Sequence, residues 1–273
     1  MMKILLPVLV VMSILFSGCS FERSVRKDVQ LEGENIGGMK ESEILKKLDR
    51  YEQKIFDPPK DARLNEKWEV IESEHVGKKL NTKLTLQEII NSPEGKRVNI
   101  IVEELRPGIT AEHLKSNIIE IGSFTTPLLD RQEARINNIE LASEKINYKV
   151  LAPGEEFSFN GVVGKRTVSK GYEEAPIIIR AEDGYKKGFG VGGGICQLAS
   201  TIYSCAVKSG LEITEHHMHS KDVGYIPRGQ DAAVSYGTVD LKFKNSRSFP
   251  VMIRVWRDSK NLTVKMFENR NNI

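Results

Sequence analysis

A cysteine and the glycines before it are the residues best suited to chemistry. The run Gly192-Gly193-Gly194-Ile195-Cys196-Gln197 leads into an apolar stretch with Gly210 as its stop, which predicts a glycine loop followed by a helix. Cys196 would then lie in the first turn, where free N–H groups and the helix dipole favour a thiolate and can stabilise an oxyanion. Two other interpretations compete. Cys196 could be a small buried residue, or the glycines could form a phosphate-binding loop, although the lysine of a P-loop does not follow them.

Cys205 lies on the same predicted helix and provides a comparison. Nine residues at 100° each place it half a turn from Cys196 and about 13.5 Å along the axis. That separation exceeds the reach of a disulfide, which needs Cα atoms within about 7 Å. We therefore expect Cys205 in the core when Cys196 faces a cleft.

Three histidines lie together in Glu215-His216-His217-Met218-His219-Ser220. On a strand, His217 and His219 would share one face and His216 the other, so either of the first two could be the base that a nucleophilic cysteine needs. Asp231 or Tyr236 could orient that base. Two alternatives stay open: a zinc site formed by Cys196, His217 and His219, and a surface histidine cluster without function.

The N-terminus is typical of a targeting segment. Lys3 precedes an almost unbroken apolar run, and Ser17-Gly18-Cys19 follows it, so residues 1–18 read as a signal peptide. Small residues before a cysteine resemble the lipobox of bacterial lipoproteins, with Cys19 as the lipidated residue. We expect residues 19–30 to form a tether and the protein to lie outside the cytoplasm, lipid-anchored to the cell membrane. An ordinary secretory signal is the alternative.

Composition sets the broad class. The chain has 273 residues, 40% hydrophobic and 28% charged, with a net charge of +3. These values favour a folded protein and exclude a multi-span membrane protein, and no basic block suggests a nucleic-acid partner.

The elements that position these residues predict an α+β fold. Helical patterns cover 40–51, 85–90, 110–117 and 130–148, and strand patterns cover 68–71, 98–102 and 175–180. Asp183-Gly184 predicts a hairpin turn after the last of these strands. Alternating apolar residues in 239–243, 251–255 and 262–266 predict a C-terminal antiparallel meander of three strands.

Several motifs together resemble the VanW-like domain, which is named after an accessory gene of vancomycin-resistance clusters. They include Phe157-Ser158-Phe159-Asn160, Gly192-Gly193-Gly194-Ile195-Cys196-Gln197 with Ser200-Thr201, His217-x-His219-Ser220, and Tyr225-x-Pro227-x-Gly229-x-Asp231-Ala232 with Tyr236-Gly237. The resemblance covers residues 121–257, and 258–273 would be a final strand and tail. Residues 31–117 more loosely resemble the peptidoglycan-binding domain that often precedes it.

This resemblance implies a function in the cell wall. Some members of the family look like cysteine L,D-transpeptidases, which would make Cys196 the nucleophile on peptidoglycan stem peptides. It also places Gly192, Gly193, Gly194, Gln197, Ser200 and Thr201 in the oxyanion and substrate loop, and no cofactor or metal is expected. A binding protein without catalysis, a glycopeptide-response protein and a cysteine carboxypeptidase are the alternatives.

Replacing Cys19 by Ala should release the protein from the membrane fraction, because a lipobox cysteine carries the acyl chains that anchor it. The measurement is fractionation of cells that express the native chain or the variant, followed by a salt wash. A variant that stays membrane-bound with residues 1–18 uncleaved would identify that segment as a signal anchor instead.

Overall fold

The computed structural model describes residues 22–181 and 184–271, so the signal peptide, Cys19 and the predicted turn residue Asp183 lie outside the described residues. The helices are α1 Glu41–Ile55, α2 Thr82–Asn91, α3 Ala111–Ser116, α4 Glu133–Ile146, α5 Phe159–Val163 and α6 Ile195–Lys208, with a short 3-10 helix at Val168–Lys170. The strands up to the middle of the chain are β1 Gln30–Leu31, β2 Glu34–Asn35, β3 Arg63–Leu64, β4 Val70–Glu72, β5 Gly77–Leu80, β6 Arg97–Val98, β7 Val102–Leu105 and β8 Ile118–Pro127. The remaining strands are β9 Val150–Leu151, β10 Glu156–Ser158, β11 Glu174–Ala181, β12 Gly184–Val191, β13 Glu212–Glu215, β14 Lys242–Lys244, β15 Val251–Arg257 and β16 Asn261–Asn269.

The α+β class is confirmed, with helices and several small sheets in two compact units. The first unit holds residues 22–61 and 74–108, and its core is formed by the apolar face of α1, the helix α2 and the short β1 and β6 strands. Leu31, Ile44 and Ile89 are fully buried there. No helix among the described residues is long and apolar enough to span a membrane.

The second unit holds residues 62–73 and 109–271. Its main sheet has the order β8-β16-β15-β9, and all three pairings are antiparallel. Strand β16 alternates regularly, so that Leu262, Val264 and Met266 face the core, as a sheet with one covered face requires. Helix α6 packs on β8 and β16, and helix α4 packs on α6 and β15.

A smaller sheet and a hairpin complete the second unit. The sheet has the order β10-β14-β13, with Phe157 stacked on Phe243 at 4.7 Å between ring centroids. Strands β11 and β12 pair antiparallel with each other, which confirms the strand predicted at 175–180. Strand β12 leads directly into the glycine loop before α6.

The prediction of a C-terminal meander is confirmed for two of its three strands and is wrong for the other. Residues 251–255 and 262–266 do form the antiparallel hairpin β15–β16, but β14 pairs with β10 and β13 in the other sheet. The free side of β16 is occupied by β8. The alternation of apolar residues shows which face of a strand is buried but not which strand it pairs with. Strand β8 has ten residues available for pairing with β16, whereas β14 has three.

Two local predictions also change. The pattern at 98–102 splits between β6 and β7, which pair with β1 and β5 respectively. Helix α2 begins three residues before Thr85, because Asn81 is the N-cap and its side chain accepts a hydrogen bond from the Leu84 N–H. The helices predicted at 110–117 and 130–148 are confirmed as α3, which Thr110 caps, and α4.

One buried side chain ties α4 to the glycine loop. The Asn138 amide group donates to the carbonyls of Glu173 at 2.9 Å and Gly193 at 3.0 Å, and its oxygen accepts from the Glu173 N–H at 2.8 Å. Three hydrogen bonds to backbone groups therefore converge on one asparagine, which attaches the glycine loop before α6 to helix α4.

Replacing Asn138 by Ala should lower the free energy of unfolding by about 2–4 kcal/mol, because the Gly193 carbonyl and the Glu173 N–H lose the hydrogen bonds that Asn138 makes to them. Denaturant unfolding of the full chain measures this loss. The neighbouring Asn137 is the matched control: its side chain makes one hydrogen bond, to the Gly171 carbonyl, so its replacement by Ala should cost about 1 kcal/mol or less. Equal losses for the two variants would contradict the role given to Asn138.

Candidate active site

The glycine loop delivers Cys196 to the start of α6, as predicted. Gly192 and Gly194 have φ angles of +91° and +105°, in the left-handed region that favours glycine. At Gly193 the reason is space, since a Cβ there would lie 2.7 Å from the carbonyl carbon and oxygen of Ala175. Gly194 is the N-cap, so Cys196 is the second residue of the helix.

Helix α6 holds an extended segment of the chain along one face. Cys196, Ser200 and Ser204 are four residues apart, and they contact Val234, Ala232 and Gln230, which are two residues apart. Four helical residues rise about 6.0 Å and two extended residues about 6.6 Å, so the two repeats match over these three contacts. The Ser200 hydroxyl accepts from the Ala232 N–H at 2.9 Å, and the Ser204 hydroxyl donates to the Gln230 carbonyl at 2.7 Å.

The thiol of Cys196 makes the last of these three contacts, the one with Val234. Its Sγ lies 3.5 Å from both the backbone nitrogen and the carbonyl oxygen of Val234. The Val234 N–H therefore donates to the sulfur. Cys196 as a whole residue is partly exposed.

The same segment brings the histidine and the aspartate to the thiol. Asp231 Oδ2 accepts hydrogen bonds from the backbone N–H of His219 and lies 2.7 Å from His219 Nδ1, while Oδ1 accepts from the Gly229 N–H at 3.1 Å. The His219 imidazole also lies near enough to the Cys196 thiol for the two groups to shift each other's pKa. Since Asp231 occupies Nδ1, Nε2 is the ring nitrogen left for the sulfur. The arrangement is a cysteine, a histidine and an orienting carboxylate.

The three groups shift each other's pKa. Burial raises the pKa of Cys196, but the hydrogen bond and charge of His219, the Val234 backbone and Arg166 together lower it below its usual value. Burial lowers the pKa of His219, yet its contacts with Cys196 and Asp231 raise it overall. For Asp231, burial is outweighed by hydrogen bonds from His219 and Gly229, so its pKa is lowered. The geometry therefore favours a thiolate–imidazolium pair.

The other two histidines point elsewhere, and the strand argument behind their assignment is wrong. Strand β13 ends at Glu215, so His216, His217 and His219 do not alternate across a sheet. His216 stacks on the Tyr203 ring at 3.9 Å between centroids. His217 is half-exposed and lies 3.2 Å from Glu215 Oε1. Among residues 22–181 and 184–271, no three potential ligands converge to hold a metal ion, so His217 does not join Cys196 and His219.

Three side chains predicted in the substrate loop face the interior instead. Gln197 accepts from Arg135 at 2.9 Å and donates to the Pro127 carbonyl at 2.9 Å, and Thr201 contacts Thr126 at 2.9 Å. All of these hydrogen bonds attach α6 to β8 and α4. Ser200 is equally buried beneath the extended segment. Gln197, Ser200 and Thr201 thus position the helix that carries the cysteine.

Tyr236 does not orient the histidine. It is half-exposed and lines a cavity with Asn160, Glu215 and Asp240, among others. Asp231 fulfils the orienting role that the sequence left open between these two residues.

Arg166 is the charged residue that sequence reasoning missed. Its guanidinium lies within electrostatic reach of Cys196, Tyr236 and Asp240, and its Nη1 donates to Asn160 Oδ1 at 2.7 Å and to the Gly164 carbonyl at 3.0 Å. It lies thirty positions before Cys196 in the sequence, and one arginine among 40 basic residues carries no signal of its own.

Cys205 is fully buried, as predicted, in the core below α6. Burial raises the pKa of its thiol to about 12, so it stays protonated. The two cysteines of the described chain are both free and lie in opposite environments on one helix.

A cysteine, a histidine and an aspartate therefore meet beside the first turn of a helix, and comparisons with known proteins show which family carries this site. The family model described as VanW like protein matches residues 134–267, which contain the whole site. The uncharacterized protein YoaR of Bacillus subtilis is 32% identical over 236 residues, covering 84% of this chain and 75% of YoaR. The vancomycin B-type resistance protein VanW of Enterococcus faecalis is 26% identical over 144 residues, or 51% of each chain. No solved structure matches. The chain belongs to the VanW-like family.

Iodoacetamide should alkylate Cys196 in the folded protein and leave Cys205 untouched until the protein unfolds. A thiolate persists above the lowered pKa of Cys196, so labelling should stay fast as the pH falls below about 8.5, where an ordinary thiol becomes protonated. Peptide mapping of each cysteine across a pH series measures both rates.

Asp231→Asn should raise the pH at which Cys196 labelling falls, because a His219 without its carboxylate holds its proton less firmly. Asp222→Asn is the matched control, since Asp222 is exposed and its only described ion pair is a 3.6 Å contact with Arg228.

In the native protein, faster labelling of Cys205 than of Cys196, or a Cys196 that reacts only in denaturant, would contradict the site.

Proposed function

We propose that this protein is a cysteine L,D-transpeptidase that cross-links peptidoglycan stem peptides through a thioester at Cys196. The observation that carries the proposal is His219, which lies 2.7 Å from Asp231 through Nδ1 and interacts electrostatically with the Cys196 thiol. This is the arrangement that activates a cysteine nucleophile. The resistance protein named among its relatives supports a function in the cell wall.

The first half of the reaction forms the acyl-enzyme. The Cys196 thiolate attacks the carbonyl carbon of an L-centre that precedes a terminal D-residue. The peptide C–N bond breaks, and the His219 imidazolium gives its proton to the departing amine. The products are a thioester on Cys196, a neutral His219 and a free D-amino acid.

The second half transfers the acyl group. Neutral His219 takes a proton from the amine of a neighbouring stem while the nitrogen of that amine attacks the thioester carbonyl. A new C–N bond forms, the C–S bond breaks, and the thiolate and imidazolium are restored. Water can take the place of the amine, and the same acyl-enzyme would then act as a carboxypeptidase.

The oxyanion of both steps needs a donor near the start of α6. The N–H groups of Ile195 and Gln197 already donate to the carbonyls of Gly192 and Gly194. In the described part of the chain the Cys196 N–H has no such acceptor, so it is the donor that the first turn offers. The positive end of the helix dipole adds to this stabilisation.

The proposal includes where the reaction happens. Lipidation at Cys19 would keep the protein on the outer face of the cell membrane, within reach of the wall. The unit formed by residues 22–61 and 74–108 would bind peptidoglycan, as the resemblance of 31–117 implies, and bring stem peptides to Cys196.

Incubating the full chain with a stem tetrapeptide should add one acyl mass to Cys196, and Cys196→Ala should abolish the adduct. Intact-protein mass spectrometry followed by peptide mapping measures it. Retained binding to wall fragments without any adduct on the native protein would favour a non-catalytic binding or glycopeptide-response protein.

His219→Ala should slow this acylation by roughly 10²–10⁴-fold, the usual contribution of a general acid or base. His217→Ala is the matched control, because its side chain faces Glu215, and it should change the rate by only about threefold or less. Comparable losses in the two variants would refute the assignment of His219.

A further inference from the structure

Asn160 is a buried residue whose side-chain amide is fixed in one orientation by its partners. Its Nδ2 donates to the backbone carbonyls of Ser235 at 3.2 Å and Val239 at 2.8 Å. Because a carbonyl accepts hydrogen bonds but cannot donate them, the amide nitrogen must face these two residues. The amide oxygen then faces Arg166 and accepts from its Nη1 at 2.7 Å. One amide group therefore joins a backbone loop to a guanidinium.

The loop that Asn160 holds follows directly after the backbone that contacts the thiol. The loop is closed, since the Ser235 N–H donates to the Val239 carbonyl at 2.8 Å and the Val239 N–H donates to the Ser235 carbonyl at 3.0 Å. Val234 precedes it and contacts Cys196 Sγ through its N–H and its carbonyl, each at 3.5 Å. Since Asn160 binds both ends of the loop, it fixes the chain one residue away from the N–H that donates to the sulfur.

Arg166 packs against the glycine loop that leads to the thiol. A Cβ on Gly192 would lie 3.3 Å from the Cβ and 3.5 Å from the Cγ of Arg166. Besides Asn160, the Gly164 carbonyl accepts from Arg166 Nη1, at 3.0 Å. Two neutral oxygens therefore hold this cation beside the glycine loop, where its charge is within electrostatic reach of Cys196.

Asp240 is a carboxylate within electrostatic reach of Arg166, and Asn160 contacts both of them. Asp240 Oδ2 accepts from the Ser158 hydroxyl at 2.6 Å, and its Oδ1 accepts from the Asn160 N–H at 2.8 Å. Asn160 thus binds the carboxylate through its backbone and the guanidinium through its side chain. This arrangement fixes the distance between the two charges, so that the arginine keeps its place beside the glycine loop.

We infer that Asn160 is a positioning residue for Cys196, because its single amide group holds Arg166 and the loop after the backbone contact of the thiol in one fixed arrangement. The inference concerns the ionised thiol, whatever acyl group that thiol takes up. Other titratable groups lie within electrostatic reach of the thiol or of the guanidinium, and the test leaves all of them in place: Tyr172, His219, Tyr225, Tyr236 and Asp240.

Asn160→Ala should raise the pH midpoint of Cys196 alkylation by about 0.5–1 unit, a part of the roughly 1–3 units that a nearby opposite charge supplies. Without the amide, Arg166 and the Val234 N–H are held less firmly beside the thiolate. The pKa of the thiol then rises toward its ordinary value of about 8.5. The measurement is iodoacetamide labelling of the full folded chain across a pH series, with peptide mapping of Cys196.

Asn245→Ala is the matched control for a role in stability alone. Asn245 is also buried, and its Nδ2 also donates to two backbone carbonyls, those of Leu151 at 2.9 Å and Phe249 at 3.0 Å. Its replacement should lower the stability of the protein and leave the midpoint of Cys196 labelling unchanged. A midpoint that stays in place in folded Asn160→Ala, or that rises equally in Asn245→Ala, would overturn the inference.

A double variant tests whether Asn160 acts through the arginine. Arg166→Gln should raise the midpoint as well, and Asn160→Ala combined with Arg166→Gln should raise it by less than the sum of the two shifts, as expected for residues in one network. Additive shifts would overturn the link. If circular dichroism shows Asn160→Ala to be unfolded, Asn160→Ser decides instead, because its shorter side chain cannot join the loop to the guanidinium and the same rise is expected. Alkylation needs no stem peptide, so failure here leaves the proposed reaction standing, and failure of acylation leaves this inference standing.

Discussion

The match between helix α6 and residues 230–234 is the constraint on which the site depends. The helix presents a cysteine and two serines at intervals of four, and the extended segment meets them at intervals of two. This fixed register also sets where Asp231 lies, and Asp231 in turn fixes the ring of His219 through its backbone and Nδ1. Cys196 and His219 are therefore held in one register by the same segment, although 22 residues of chain separate them.

The fixed register allows a thiolate to exist in a partly buried position. Removing a thiolate from water raises the cysteine pKa, and at Cys205 this effect of burial outweighs the groups that act against it. At Cys196 the imidazolium, the Val234 N–H, the helix dipole and Arg166 all act in the opposite direction. His219 is held by Asp231, and Arg166 is held by Asn160 and Gly164, so these two charges are positioned in advance.

Short-range features of the site could be predicted from sequence, while its long-range pairs could not. The glycine loop, the helix after it and the opposed positions of Cys196 and Cys205 follow from the local period of 3.6 residues. The choice of His219 over His217 depends on where β13 ends, and on a carboxylate twelve residues away. The prediction that β14 belongs to the C-terminal meander failed for the same reason, since the alternation of apolar residues does not show which strands pair. Arg166 lies outside every motif, so only its position in space reveals it.

In the proposed reaction the charges beside the thiol would change in sequence, and Arg166 would respond to each change. Before acylation the charge of Arg166 would be balanced in part by the thiolate, which it helps to keep ionised. After acylation the thiolate and the imidazolium proton would both be gone, and the guanidinium would remain as a cation near the thioester.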